Sequence, residues 1–339
     1  LNASFRPPAD ICALRAIVRD RDTRIEYRGA HIQHLQKALQ QMNLKLTTVL
    51  SDITGVTGMQ IIRAIVAGER DPHVLAGYRQ KGCKADQERI ALALEGHYRE
   101  EHLFTLQQAL EAYDFYDEQI QACDARLEIM YQAHEARATD QPAPQPKTGK
   151  RRKNQAHFDL TTQLYRLTGV DLTAVDGLDA LTVQKVIAEI GTDMSAWKTD
   201  KQFGMWLGVA PNHRITGGKI KSRFTKKNAN RAATALRVAA QSLWHSDSSL
   251  GAYYRRMKAR LGAAKATTAT AYKLARIIYH MLKDQTPYRD PGALAYEQQH
   301  RQRAIRNLRR NAARLGYRLE EVLSEIPATT APPITAVVS

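Results

Sequence analysis

The sequence predicts a mainly α protein, in which long coiled-coil-like helices are joined by a basic linker to a compact helical domain with at most a short β-hairpin. Three observations predict this fold class: an apolar heptad near the start, a second heptad segment after residue 97, and helix-period apolar spacing after residue 158. The length of 339 residues is enough for two or more domains with at least one sizeable core.

The first heptad segment covers residues 9–50. With Ile11 as position a, every a position up to Leu46 is apolar, and the d positions are apolar except for Arg21 and Arg28. A filled a row over this length predicts a long helix in coiled-coil packing. We expect the two arginines to extend to solvent, to pair with acids, or to mark where the partner helix diverges.

The second heptad segment runs from about residue 97 to 136 and is the natural partner of the first. It packs either as an antiparallel hairpin in the same chain or across a dimer, and the sequence does not choose between them. Asp117 and Asp124 interrupt its apolar row. These two acids are separated by about 10 Å along a helix, too far to share one metal ion, so we expect solvated or arginine-paired carboxylates.

Two short segments have a glycine turn followed by a short apolar helix. The first contains Gly55 and Gly58, and the second contains Gly177 with Ala180 in the other position. Both resemble the helix-hairpin-helix, whose turn amides bind a phosphate without reading sequence. The alternative is a plain packing corner between two helices.

The remaining segments are predicted from composition and spacing. Pro142, Pro144 and Pro146 followed by four bases indicate a linker, and the Pro/Thr-rich end predicts a disordered tail. Strand signals are limited to 208–211 and 218–224. Helices are predicted at 158–168, 178–190, 199–208, 229–245, 249–261, 264–283 and 293–316. The predicted organisation is 1–50 heptad helix, 51–96 helix-hairpin-helix-like segment, 97–136 second long helix, 137–157 linker, 158–286 C-terminal domain, 287–325 arginine-rich helix and 326–339 tail.

The charge is unevenly distributed. The formal net charge is +16, and the excess is concentrated in residues 136–157, 201–246 and 287–318, while the rest of the chain is slightly acidic. Concentrated basic patches are typical of nucleic-acid binders, although solvated basic faces are the alternative.

The three cysteines, Cys12, Cys83 and Cys123, lie far apart and form no CxxC pair. This usage favours reduced thiols and argues against a disulfide framework or a structural zinc site. No apolar run is long enough for a membrane span. We therefore expect a cytoplasmic protein.

The most basic stretch, residues 201–246, contains nine bases and no Asp or Glu. In it Thr216 precedes Gly217 and Gly218, which lets a hydroxyl and the backbone approach a phosphodiester. His213 is the nearest side chain able to act as a base. The residues expected to bind nucleic acid are Gly217, Gly218, Lys219, Lys221, Arg223, Lys226, Lys227, Arg231 and Arg237.

Several phrases around this stretch resemble one family. WLGVAP, the Thr-Gly-Gly-Lys turn, KNANRAATALRVAA and LGAYYRRMKARLGAAKATTATAYKLARIIYHML are similar to the C-terminal domain of transposases of the IS-one-hundred-and-ten insertion sequences. The front phrase SFRPPADICALRAIVRDRD continues the likeness, which covers most of the chain.

The resemblance implies a DNA transposase/recombinase that exchanges strands and is guided by a noncoding RNA. It implies the element ends and the target DNA as partners, and a location at the bacterial nucleoid. The long helices add the expectation of a homo-oligomer. The family's nucleophilic serine corresponds to Thr216. Its Mg²⁺ is held by an acidic quartet in an N-terminal RuvC-like domain, upstream of the phrase that opens this chain. We therefore expect no Mg²⁺ ligands in this chain, and the start at Leu1 without methionine predicts a truncated chain.

Two other functions fit the residues. One is a truncated or decayed transposase that binds DNA or RNA without catalysis, which needs only the basic patches and the long helices. The other is a helical scaffold whose heptads serve oligomerisation, which leaves the acid-free stretch unexplained.

Overall fold

The computed structural model describes residues 5–137, 143–144, 153–217, 219–225 and 230–320. Within these residues the chain forms thirteen α-helices and one two-stranded antiparallel sheet. This confirms the predicted mainly α fold class with a short hairpin. The predicted tail 326–339 and most of the proline-rich linker lie outside the described residues.

Two long helices, α1 (Ala9–Gln41) and α6 (Glu100–Ala133), pack against each other over most of their length. Their contacts pair Arg21 with Asp124 and Arg28 with Asp117, so the helices run antiparallel within one chain. The seam predicted by the heptads is therefore filled by the chain itself. Of the roles expected for the two arginines, the structure selects pairing with acids.

The first long helix ends earlier than the heptad predicts. Asn43 has a positive φ of 59°, and the chain turns there before the short helix α2 (Leu46–Val49). The turn is closed by hydrogen bonds from the Asn43 amide to the Gln40 carbonyl and from the Leu44 amide to the Leu39 carbonyl. Leu46 stays buried, so the apolar spacing continues although the helix does not.

A small helical bundle covers the C-terminal end of α1 and the N-terminal end of α6. It consists of α2, α3 (Val56–Val66), α4 (Pro72–Ala76) and α5 (Gln87–Ala93). Together with the second half of α1 and the first half of α6 it forms one buried apolar cluster, which includes Leu35, Ile61 and Leu106.

A larger apolar cluster joins the opposite end of the long helices to the C-terminal helices. Ile11 of α1 and Tyr131 of α6 belong to the same core as Leu236 and Leu274. The helices of this part are α7 (Leu160–Thr168), α8 (Ala180–Ile190), α9 (Asp200–Leu207), α10 (Arg231–Ser242), α11 (Ser249–Leu261) and α12 (Ala263–Asp284). These bounds agree closely with the predicted helices. The division of the chain into seven segments stays a prediction.

Side-chain caps explain where the C-terminal helices begin. Asp159, Asp179, Thr199, Asn230 and Ser248 each accept a hydrogen bond from an amide in the first turn of the helix that follows. A cap of this kind stabilises a helix by about 1 kcal/mol, so the starts of α7 to α11 are fixed by local sequence.

The last helix, α13 (Gly292–Arg314), lies on the outside of the C-terminal part. It contacts α11 near its start, and none of its residues is buried. The predicted arginine-rich helix is therefore present, and most of it is exposed.

Candidate active site on the basic hairpin

The candidate site is a β-hairpin inserted between α9 and α10. Its first strand, β1, is Asn212–Thr216, and its second, β2, is Lys219–Phe224. The first strand begins later than predicted, because Gly208 adopts a left-handed conformation that ends α9 and the next two residues, Val209 and Ala210, are buried in the core. Residues 208–211 thus anchor the hairpin and do not pair.

The hairpin returns to the core through α10, whose inner face is alanine-rich. Ala232, Ala233 and Leu236 have no exposed surface. Arg237 donates a hydrogen bond from Nη2 to the Gly208 carbonyl at 3.0 Å, which ties the second stem of the hairpin to the first. Arg237, predicted to bind nucleic acid, therefore also holds the base of the hairpin together.

The two strands are joined by a two-residue turn. Thr216 pairs with Lys219, and Gly217 between them has a φ of +56°. This φ at the first turn position is typical of the type I′ turn, which matches the twist of paired strands. The requirement for positive φ gives a physical reason for glycine here. Gly218 lies outside the described residues.

An irregularity in β2 lies close to the turn. Arg214 pairs with Ser222 and Ile215 with Ile220, so Lys221 is an extra residue without a partner on β1. A bulge of this kind bends a strand and increases its local twist, and bulges are frequent beside active sites.

The candidate nucleophile is accessible. Thr216 ends β1 and is exposed, as is Gly217 beside it. The turn therefore presents a hydroxyl and open backbone to solvent, with space for a ligand to approach: a Cβ added at Gly217 would meet nothing within 4 Å.

Apart from Arg237, the predicted cations fall into three groups: residues of β2, the start of α10, and residues that the structure does not describe. Lys219, Lys221 and Arg223 are residues of β2, and the exposed Arg231 is the first residue of α10. Lys226 and Lys227 lie outside the described residues.

Asp200, the last acid before the acid-free stretch, is paired with the cation of Arg276. Asp200, at the start of α9, accepts a hydrogen bond from Arg276 of α12 and lies 3.6 Å from Nε2 of His280. Burial raises the pKa of Asp200, but the hydrogen bond and charge of Arg276 outweigh it, so the pKa lies below its usual range. This carboxylate therefore does little to offset the positive charge that follows it in the sequence.

The described residues do not fit a Mg²⁺ site. Within the parts of the chain that the structure describes, no group of three or more His, Cys, Asp or Glu side chains is placed to hold a metal. The carboxylates on α6 are engaged elsewhere, since Asp114, Asp117 and Asp124 each bind an arginine.

The two glycine turns differ in how their helices start. Gly55 begins α3 without a side-chain cap, whereas α8 is capped by Asp179, which accepts a hydrogen bond from the Thr182 amide. Gly177 has a φ of +85°, and a Cβ there would lie 2.9 Å from the Ala239 carbonyl. The second glycine therefore has a packing role, and the phosphate contact predicted for both turns stays a prediction.

Asn230 is a site residue that the sequence reasoning missed. Its Oδ1 accepts hydrogen bonds from the amides of Ala232 at 2.9 Å and Ala233 at 3.4 Å, which fixes the point where the chain re-enters the core. The signal was present in the sequence, because asparagine directly before an alanine-rich helix is a preferred N-cap.

Comparisons with known proteins show what this region is similar to. Residues 171–255 match the model of the transposase IS116/IS110/IS902 family. A "Probable family 20 transposase" of Pseudomonas aeruginosa strain PAO1 is 28% identical to the chain over 146 residues, which is 42% of this chain and 41% of that protein. The chain thus aligns with less than half the length of this relative. The segment of residues 171–255, which carries the hairpin with Thr216 and Gly217, is thus similar to the transposases of the IS116/IS110/IS902 family.

Proposed function

We propose that the chain is a DNA transposase/recombinase of an insertion sequence, and that the hydroxyl of Thr216 is its nucleophile. The observation that supports this most directly is the exposed hydroxyl at the tip of a basic hairpin, within the segment that matches the transposase family. The partners proposed with it are the element ends, the target DNA and a noncoding guide RNA.

In the proposed step, Oγ of Thr216 attacks the phosphorus of a phosphodiester. A Thr–O–P bond forms, one P–O bond to deoxyribose breaks, and the departing oxygen becomes a hydroxyl while Thr216 loses its proton to a base. Attack by the hydroxyl of a second DNA strand on the phosphothreonine then joins the new strand and restores Thr216. The reaction conserves the number of phosphodiester bonds.

The cations of the hairpin have a defined part in this step. Lys219, which is opposite Thr216 in the strand register, and the bulged Lys221 are proposed to offset the charge that the attacked phosphate gains. Fixed positive charge near a developing oxyanion is worth several kcal/mol in catalysis. Gly217 contributes by leaving the backbone open to the phosphate.

The proton acceptor is proposed to lie outside the hairpin. His213 is three residues before Thr216 on β1, a separation of about 10 Å along an extended strand. A direct hydrogen bond requires about 3 Å between the two atoms. The spacing therefore argues against His213 as the immediate base of its own hairpin.

A homo-oligomer was expected from the long helices. Because α1 packs on α6 of the same chain, the heptad seam is occupied. An oligomer of this protein is therefore proposed to use other faces.

Thr216 can be tested with element-end DNA, labelled at the strand ends, in the presence of the transcript of the flanking noncoding region. We expect Thr216→Ala to lower cleavage and covalent protein–DNA adduct by about 10³-fold or more while DNA binding is kept. Thr216→Ser should stay active. Ser222→Ala removes a hydroxyl from the same hairpin and is the matched control, which should cleave normally. Undiminished cleavage by Thr216→Ala would remove Thr216 from the mechanism.

The second candidate function is binding without catalysis. It is favoured by the threonine in the nucleophile position, a secondary alcohol with restricted rotation. It predicts tight, salt-dependent DNA or RNA binding by the wild-type chain with no adduct, even when Mg²⁺ is added. In both functions, replacing Lys221, Arg223, Lys226 and Lys227 by Ala should weaken binding.

A further inference from the structure

The outer helix α13 carries an exposed excess of positive charge. Between Arg301 and Arg314 there are six arginines and no Asp or Glu. No residue of the helix is buried, and none of these arginines forms an ion pair within the described parts of the chain. The function proposed for the hairpin does not use this surface.

The arginines occupy one side of the helix. At 100° per residue, five of the six fall within a sector of about 140° and extend over about 16 Å along the axis. Arg303, Arg306 and Arg310 line a shallow groove together with Asn307. The five arginines of this face, which we call the arginine face, are Arg303, Arg306, Arg309, Arg310 and Arg314.

At the base of α13, cations are held among aromatic rings. Nζ of Lys273 lies 4.6 Å from the ring centroid of Tyr253 and 5.1 Å from that of Tyr296, and the guanidinium of Arg256 lies 4.8 Å from the Tyr296 ring. The acid whose charge acts on Lys273 is Asp290, which accepts hydrogen bonds from the Ser249 amide.

These cations are incompletely neutralised. Lys273 is half-buried and forms no ion pair with any described carboxylate. Burial lowers its pKa, and the charge of Arg256 lowers it further. Nη1 of Arg256 is buried and has no hydrogen-bond partner of good geometry among the described residues. Cations in this condition are stabilised by an anion that enters the cluster.

We infer that the arginine face of α13, with Lys273 and Arg256 at its base, binds the phosphates of duplex DNA in addition to the contact proposed for the hairpin. A helix of about 10–12 Å diameter fits the B-DNA major groove, about 12 Å wide, and arginines spread over one wide sector reach both groove walls. The major groove of A-form RNA is too narrow for this. The inference rests on the proposed function in taking DNA as substrate.

The test is equilibrium binding of the full chain to a 20-base-pair DNA without element sequence, measured between 50 and 200 mM salt. The variant Arg303→Gln/Arg306→Gln/Arg310→Gln removes three exposed charges and keeps good helix formers. Because this variant no longer neutralises three phosphates, the slope of log K against log salt should become shallower by about 2.7, so the affinity ratio between 50 and 200 mM salt falls about 40-fold. Lys273→Met should reduce the slope by about 0.9.

Two controls separate direct phosphate binding from net charge. Lys37→Gln/Lys84→Gln/Arg126→Gln removes three exposed charges away from α13 and should leave the slope close to that of the wild type. Replacing the same three α13 arginines by lysine keeps the charge and should keep the slope. Circular dichroism of every variant checks that the helices are retained.

The inference would be overturned if the arginine-to-glutamine variant kept the wild-type slope of log K against log salt. It would also be overturned if the control variant away from α13 lost as much of that slope. The assignment to DNA would be overturned if the arginine-to-glutamine variant lost more of the binding slope on an RNA duplex of the same sequence than on DNA. Failure here is separate from failure of the hairpin proposal, because Thr216→Ala is judged by cleavage and adduct formation and leaves this binding slope intact.

Discussion

The Asp124→Leu substitution would remove the acceptor at the centre of a buried network between the two long helices. The Asp124 carboxylate is 1% exposed and accepts from Nε of Arg21 at 2.5 Å and from Nη2 at 3.2 Å. It also lies 2.8 Å from Nδ1 of His157. Arg21 in turn donates to the Asn154 carbonyl at 3.0 Å, so this network also fixes the chain that follows the linker.

The expected cost follows from burial. Asp124→Leu leaves the Arg21 guanidinium, 3% exposed, without its carboxylate, and an unpaired buried charge of this kind costs about 3–5 kcal/mol of unfolding free energy. Arg21→Met should cost somewhat less, since His157 still faces Asp124. In the double variant no buried charge remains, and the cost falls to about 1–3 kcal/mol for the unsatisfied groups of Asn154 and His157.

Urea unfolding of the four proteins, followed by circular dichroism, gives this double-mutant cycle. The losses of unfolding free energy in the two single variants, added together, should exceed the loss in the double variant by at least about 2 kcal/mol. The matched control is Asp114→Leu, because Asp114 and Arg63 form an equally bidentate pair with side chains 35% and 52% exposed. An exposed pair should contribute only about 0–1 kcal/mol. A loss at Asp124 no larger than that at Asp114 would refute the argument from burial.

Two further changes test other parts of the scaffold. Gly177→Ala should destabilise the protein by more than Gly68→Ala: both positions have positive φ, but only at Gly177 would the new Cβ meet backbone, 2.9 Å from the Ala239 carbonyl. Equal losses in thermal unfolding would contradict this. His31→Gln should reduce the loss of stability between pH 7.5 and 5.5. Burial and then the charge of His34 lower the pKa of His31, so the unfolded chain binds more protons and stability falls as pH drops through about 6.5. An unchanged loss in His31→Gln, by urea unfolding at both pH values, would contradict the assignment.

Heptad spacing in the sequence predicts both long helices, but not how they pair. The acids that bind Arg21 and Arg28 lie about 90 to 100 residues away, and the register of two helices depends on tertiary packing that a single-helix pattern does not contain. The heptad pattern also does not predict the early end of α1. Asn43 tolerates a positive φ but does not require one, so apolar spacing through Leu46 continued to predict helix.

The hairpin shows a similar division between local and distant information. The turn could be predicted, because Thr216-Gly217-Gly218 is a local signal and the turn conformation needs glycine. The anchoring of its stems could not. The bond from Arg237 to Gly208 and the cluster around Lys273 bring together residues from separate helices, and no local pattern in the sequence indicates such contacts.

The cap of α10 suits the charge of the proposed ligand. Asp159 and Asp179 are anionic caps of α7 and α8, whereas α9 and α11 have the neutral caps Thr199 and Ser248. The helix that receives the hairpin, α10, is capped by the neutral Asn230. A helix N-terminus carries about half a positive charge, and a carboxylate cap offsets it whereas an amide does not. Neutral capping therefore keeps the start of α10 and the exposed Arg231 favourable for a phosphate, while the start of the helix is still fixed.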